Sequence, residues 1–302
     1  MNRNELDKSV TKYLILENNM VNGGLRIRNK FKVNTKENPL ISIITVVYNG
    51  EKSIERTICS VVNQNYDNIE YIIIDGNSTD GTLDIIKKYD EKIDYWQSES
   101  DSGIYNAMNK GIQHITGEYC LFLNSGDYLV GYNVISSVLG ELKDYDIIVG
   151  KEIMSNRTVI SGISRKKLNI FTYMNGFIPH ESTFIKSAIL KKRNYNEQYR
   201  IISDYVFFFN ELFINKSSYK TINNKITMFL LDGISSVNRE LANKELNEFY
   251  HNSLPDYVLD VYLRNQRNTV IFDFMDSKFV ILGLRICRKI KRIIKQKLDY
   301  YL

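Results

Sequence analysis

The stretch ISIITVVY, Ile41 to Tyr48, is apolar or β-branched at almost every position. A strand with one wet face alternates polar and apolar residues, whereas an unbroken run is the mark of a strand covered by helices on both faces. Working outward from it, Ile54, Ile58, Val61 and Val62 recur at helical spacing, and IEYIIID (69–75) is a second buried strand. Strand, helix and strand make one βαβ unit. A short helix over Leu83, Ile86 and Tyr89 and a strand over IDYWQ (93–97) continue the alternation. A helix presenting Ile104, Ala107, Met108, Gly111, Ile112 and Ile115 and a strand over YCLFL (119–123) complete it. The expected fold is α/β, a mostly parallel doubly wound sheet with right-handed crossovers. After about residue 150 the rhythm loosens into mixed strands and helices that run to about 240.

Composition sets the frame. With 302 residues, 43% hydrophobic, 25% charged and only three prolines, the chain is long enough and apolar enough to bury a sizeable core. The +5 net charge is concentrated at the C-terminal end. Basic residues with interleaved stacking aromatics do not line a groove, which argues against nucleic acid as a partner. Cys59, Cys120 and Cys287 lie far apart, without metal-ligand spacing and in odd number, so a reducing cytoplasm is expected. The first residues lack the apolar run of a signal peptide, and no stretch approaches the ~18 apolar residues of a membrane span.

The polar residues fall in a pattern. Tyr48 and Asn49 follow the first strand, Asp75 ends the second, Glu99 and Asp101 follow the third, and Asn124 to Asp127 follow the fourth. Each alone reads as a turn former or helix cap. Together they mark the carboxyl edge of a parallel sheet, where open α/β folds bind ligands. No GxGxxG follows the first strand, and GNSTDGT (76–82) lacks the lysine of a phosphate-binding loop, so neither nucleotide fingerprint is met. An acidic edge can still bind a nucleotide through a divalent cation, Mg²⁺ or Mn²⁺, shared between a carboxylate and a diphosphate. Asp127 is the expected metal ligand.

The segments SIITVVYNG, IIIDGNSTDGT, DSGIYNAMNKGI and FLNSGDYL, in this order and spacing, resemble the nucleotide-binding half of family 2 glycosyltransferases of GT-A fold, closest to bacterial enzymes of capsule, exopolysaccharide and lipopolysaccharide synthesis. The resemblance covers residues 40–130 strongly and extends to about 236 through IPHEST, RIISDYVFFF and LLDGISS. GGLRIRNKFK (23–32) resembles the family's lead-in. It implies a lead-in over 1–38, a catalytic domain over 39–240 with a nucleotide-binding half (39–130) and an acceptor-side half (131–240), and a helical extension over 241–302. It also implies transfer of one sugar, usually with inversion, from a nucleoside diphosphate donor, a UDP-sugar favoured, to a glycan or lipid-linked acceptor. Asp75 then matches the aspartate that holds the nucleoside, Asp101 the next donor-site aspartate, and Asp127 the last carboxylate of the metal motif, with Asn124 and Gly126 standing where further acids are common. His180 falls among acceptor-side or donor-side contacts, or is satisfied by a local hydrogen bond. Asp204 matches the catalytic base, with Glu181 and Asp232 in reserve, the alternative being that with Ser203 it merely caps a helix. The QxxRW motif of processive synthases is absent, and the single tryptophan, Trp96, reads as core or as a donor stack. A nucleotidyltransferase and a non-catalytic sugar-nucleotide binder stay open as alternatives.

KFVILGLRICRKIKRIIKQKLDYYL (278–302) sets Phe279, Leu282, Ile286, Ile290, Ile293 and Ile294 on one stripe, with Arg285, Arg288, Lys289, Arg292 and Lys295 among them. Such a helix docks on an anionic membrane face, through residues 278–298, or packs on its own domain.

Overall fold

The computed structural model describes residues 15–16, 20–154, 160–161, 168–230 and 238–267. The lead-in contributes β1 (Ile15–Leu16) and β2 (Met20–Gly23). The alternation expected from the sequence follows as β3 (Ile41–Val47), α1 (Ile54–Val62), β4 (Ile69–Asp75), α2 (Thr82–Lys88), β5 (Tyr95–Ser98), α3 (Ile104–His114) and β6 (Tyr119–Phe122). Next come β7 (Tyr128–Leu129), α4 (Val134–Val138), β8 (Ile147–Met154), β9 (Ile160–Ser161), α5 (Ile170–Met174), β10 (Thr183–Lys186) and α6 (Ser187–Lys192). The described chain ends with α7 (Ser203–Phe209), β11 (Tyr219–Phe229), α8 (Arg239–Ser253) and α9 (Asp256–Arg267).

All the strands join one sheet in the order β1-β2-β5-β4-β3-β6-β10-β8-β11-β7, with β9 beside β8. Strands β5, β4, β3 and β6 are parallel, in the registers Val47↔Asp75 and Asp75↔Ser98. Outside that core the sheet is mixed, because β10 enters antiparallel between β6 and β8 while β11 pairs parallel with β8. Two antiparallel steps turn β8 and β11 back to the direction of β6. The carboxyl ends of β3, β4, β5, β6, β8 and β11 therefore share one edge.

The unbroken apolar strands are buried on both faces as their composition requires. On one side Ile41, Ile43, Ile69, Tyr71 and Ile73 pack with Ile54 and Ile58 of α1, Ile86 of α2 and Val134 of α4. On the other, Ile44, Val46, Ile72 and Ile74 pack with Met108 and Ile112 of α3 and, beyond it, Phe207 to Phe209 of α7 and Phe249 of α8. Trp96 belongs to the core: its ring is fully buried and Nε1–H donates to Asp90 Oδ1 at 2.7 Å. His114 packs its ring on Tyr95, centroids 4.1 Å apart, and burial pushes its pKa down to about 4. The lead-in is tied to the sheet by buried carboxylates, Arg26 pairing with Glu70, Arg28 with Asp90 and Lys32 with Asp94. Among the described residues no helix is long and apolar enough to cross a membrane. The basic helix expected over 278–298 and the reserve candidate Asp232 lie outside the described residues.

Candidate functional site

The edge read from the sequence carries two groups of residues. The first lies where β3, β4 and β5 end. Asp75 is fully buried, and its Oδ2 accepts the Ser78 N–H at 3.0 Å and the Ser98 hydroxyl at 2.6 Å, while Oδ1 accepts the Ser78 hydroxyl. These bonds shape the turn of GNSTDGT. Asn49, held at φ 50°, fastens the same turn: its Oδ1 accepts from Thr79 N–H at 2.9 Å and its N–H donates to Ser78 Oγ at 2.8 Å. Tyr48 beside it is two-thirds exposed, an aromatic face open to solvent at the rim. Asp101 Oδ1 receives the Gly103 N–H at 2.9 Å just before α3, and burial, with the charges of Asp75 and Glu99, raises its pKa. A Cβ on Gly76 would stand 2.6 Å from Asp101 Oδ2, so a larger residue there would push the Asp101 carboxylate aside.

The second group gathers around Asn124 to Asp127. Gly126 is there for its backbone, at φ +109°, and not for close packing, since a Cβ would meet nothing nearer than Ser53 Cβ at 4.0 Å. Thr57 of α1 clamps this turn, its hydroxyl accepting Gly126 N–H at 3.0 Å and donating to the Asp127 carbonyl at 2.8 Å. Leu230, just past β11, donates its N–H to Asp127 Oδ1 at 3.0 Å. Because β10 runs antiparallel to β6, the 3₁₀ turn His180–Ser182 that precedes it arrives beside Asn124. His180 Nε2 lies 3.1 Å from the Asn124 amide nitrogen and 3.3 Å from Glu181 Oε1, and Nδ1 lies 3.1 Å from Asp204 Oδ2. The Tyr105 hydroxyl completes the cluster, donating at 2.7 Å to Asp204 Oδ1 and lying equally close to the Ile201 carbonyl.

Charge explains the arrangement. Burial lowers the pKa of His180, but Glu181 and Asp204 outweigh it and bring it up to about 9, so the ring is an imidazolium at neutral pH. Two donors cannot face each other, so an imidazolium there requires the Asn124 amide to be read flipped, its otherwise unpartnered oxygen toward Nε2–H. Burial raises Asp204, yet the bonds from His180 and Tyr105 prevail and hold it below the ordinary carboxylate range, ionised. Burial raises Glu181, and burial with the Glu181 charge pushes Asp127 up to about 8. Asp204 is thus the accessible anion, its side chain 20% exposed against 6% for Glu181.

Because the His180 pKa is raised, its stabilising contribution is fully present below the unfolded value near ~6.5 and is lost as pH rises through about 9. The contribution is at most about 3 kcal/mol. Denaturant unfolding at pH 6 and pH 9.5 should show wild type ahead of His180→Gln at the lower pH, with the gap closing at the higher. A gap independent of pH would contradict the imidazolium.

Asp127 and Glu181 offer oxygen ligands of the kind hard divalent cations take, and a cation beside Asp127 would reverse the cost of ionising it. Among the described residues no group of three or more His, Cys, Asp or Glu is arranged to hold a metal. The fit is therefore to a cation that draws most of its ligands from phosphate and water.

Every site residue expected from the sequence except Asp232 lies on this edge. Ser203 and Asp204 were open to a capping role, but the Asp204 carboxylate is engaged by His180 and Tyr105, and Ile202, which has no capping side chain, stands at the N-cap of α7. Tyr105, Thr57 and the Leu230 N–H were not expected. Thr57 left a trace as a polar residue on the buried stripe of α1, and Tyr105 lies within the segment DSGIYNAMNKGI.

The chain matches the model of glycosyl transferase family 2 over residues 42–212. It is 31% identical over 176 residues to an uncharacterised glycosyltransferase of Mycobacterium tuberculosis, covering 56% of this chain and 67% of that one. It is 43% identical over 96 residues to TuaG of Bacillus subtilis, a glycosyltransferase named for teichuronic acid biosynthesis, covering 31% of this chain and 38% of TuaG. Among solved structures, S. aureus TarS in complex with UDP-GlcNAc aligns with a TM-score of 0.57 at 18% identity, over 79% of this chain and 76% of that one. The mannosyltransferase PcManGT of Pyrobaculum calidifontis, with GDP-Man and Mn²⁺, aligns at 0.51 and 16% identity, over 70% of this chain and 64% of that one. The family match spans more than half of the chain and takes in both groups of edge residues, so the chain is a glycosyltransferase of GT-A fold that belongs to glycosyl transferase family 2.

Proposed function

We propose that this glycosyltransferase moves a single sugar, with inversion, from a nucleoside diphosphate sugar to a hydroxyl of a glycan or lipid-linked acceptor during assembly of a bacterial surface polysaccharide. The observation that carries the reading is Asp204: an ionised, partly open carboxylate fixed by His180 and Tyr105 on the edge that also bears Asp127. Asp204 takes the proton of the acceptor hydroxyl as its oxygen bonds to the anomeric carbon, and the bond to the diphosphate breaks on the opposite face. His180 and Tyr105 keep the carboxylate aimed and anionic. Asp127 would hold a divalent cation, which supplies charge neutralisation for the departing diphosphate. Asp101 and the Asp75 turn with Asn49 form the donor side, and Tyr48 offers a stacking face at the rim. Support for a UDP-sugar donor comes from TarS, solved with UDP and with UDP-GlcNAc, and support for the pathway from the name of TuaG.

A thermal-shift screen of nucleoside diphosphate sugars, with and without Mn²⁺ or Mg²⁺, tests the reading. One donor should raise the melting temperature in the presence of the cation and be turned over to free nucleoside diphosphate. Stabilisation without turnover would favour a non-catalytic binder, and release of pyrophosphate on incubation with a nucleoside triphosphate and a sugar 1-phosphate would favour a nucleotidyltransferase.

We further propose that the protein works at the inner face of the cytoplasmic membrane, held there by residues 278–298. The motivation is the basic amphipathic stripe of that segment. In flotation with anionic vesicles the full chain should rise with the lipid, less so in high salt, and a chain lacking 278–298 should stay behind. Equal partitioning of the two would leave a helix packed on its own domain.

A further inference from the structure

Helix α8 lies beyond the family-matched segment, and its exposed faces are polar. Its Glu245 is nevertheless buried, 7% exposed. The carboxylate accepts three consecutive backbone N–H groups, Arg200 on Oε1 at 2.7 Å and Ile201 and Ile202 on Oε2 at 3.0 and 3.3 Å. These residues form the turn that delivers α7, and Asp204 follows two residues after the last of them. The Ile201 carbonyl on the same turn lies 2.7 Å from the Tyr105 hydroxyl that also bonds Asp204. The turn is gripped from both sides, by Tyr105 through its carbonyl and by Glu245 through its N–H groups. Helix α8 is itself locked to α7, Tyr250 hydroxyl to Tyr205 hydroxyl at 2.8 Å and Phe249 ring to Phe209 ring at 5.1 Å.

We infer that Glu245 is a positioning residue that sets the aim of Asp204, so that the C-terminal extension completes the catalytic half of the site. This inference rests on the reading of Asp204 as base. The chemistry asks for a carboxylate: three converging N–H donors need an acceptor-only group, and an amide would turn its own NH₂ against one of them. A loosened turn lets Asp204 drift, and displacement of a base by about 1 Å lowers turnover by about 100-fold without touching the donor side.

The experiment uses the full chain with Glu245→Ala, Glu245→Gln, Asp204→Asn and the double variant Glu245→Ala/Asp204→Asn. Hydrolysis of whichever nucleoside diphosphate sugar the screen selects is measured, with water standing in for the acceptor hydroxyl. Glu245→Ala should lose about 100-fold in kcat, with the donor KM and the donor-induced melting shift within about twofold of wild type, and Glu245→Gln should lie between. The double variant should be no slower than Asp204→Asn alone, because Glu245 acts through Asp204. Should Glu245→Ala fail to fold, Glu245→Gln carries the same comparison. Wild-type kcat in the Glu245 variant that folds, or a loss seen equally in donor affinity, overturns the inference while the base reading stands if Asp204→Asn is inactive. Full activity of Asp204→Asn removes both.

Discussion

Asp204→Asn should bind the sugar nucleotide as wild type does and transfer sugar about 10² to 10⁴ times more slowly, the range that loss of a general base covers. The substitution nearly preserves shape, and the amide oxygen still accepts the Tyr105 hydroxyl. What disappears is the anion that receives the proton. The proposed donor side consists of Asp75, Asn49 and Asp101, none of which bonds Asp204, so donor affinity has no reason to fall. His180 loses its strongest hydrogen-bonded partner and keeps Glu181, so its pKa should drop from about 9 toward the ordinary imidazole value. Stopped-assay transfer rates set beside calorimetric donor binding check the prediction. Transfer near the wild-type rate would move the base to Glu181, despite its 6% exposure and raised pKa.

Asp127→Asn should abolish cation-dependent turnover and leave the fold as stable as before, or more so. Leu230 N–H finds the same oxygen acceptor in an asparagine. In the absence of a cation the wild-type carboxylate, at about 8, is largely protonated at neutral pH because ionising it in that buried, acidic setting is costly, and an amide avoids the cost. Titrating Mn²⁺ or Mg²⁺ against donor hydrolysis, alongside the melting temperatures, separates the two effects. Wild-type activation by metal in this variant, or undiminished wild-type activity in excess chelator, would refute the metal assignment.

The fold of residues 41–122 was legible because its strands are buried on both faces, and such strands declare themselves as unbroken apolar runs. Beyond residue 150 the signal faded for a physical reason. Strand β11 is half exposed along most of its length and β10 is four residues long, too short for any period to show. The phenylalanine run after Asp204 was readable as a helix, but its passage into a π-helical turn over Asn210–Asn215 was not. The site divided in the same way. Carboxylates at the ends of parallel strands share an edge by topology, so their meeting could be foreseen. The meeting of His180 with Asp204, 24 residues on, and with it Tyr105, 99 residues before Asp204, depends on one antiparallel strand entering the sheet, which no local pattern encodes. Glu245 was hidden by its setting, an acidic residue in a helix of polar sequence.

That inserted strand also dictates a timetable of folding. Strands β3, β4, β5 and β6 come from one continuous span, and their pairings can form while the chain is still being synthesised. Strand β8 cannot join them, because its place beside β6 is taken by β10, which is made some thirty residues later (Met154 to Thr183), and β11 must wait for β8. Contacts closed over such separations form slowly. Asp127 gains its Leu230 bond only after 103 further residues have been added. The nascent chain is therefore expected to possess its proposed nucleotide platform well before the proposed catalytic centre, and premature encounters with sugar nucleotides would be occupancy without chemistry.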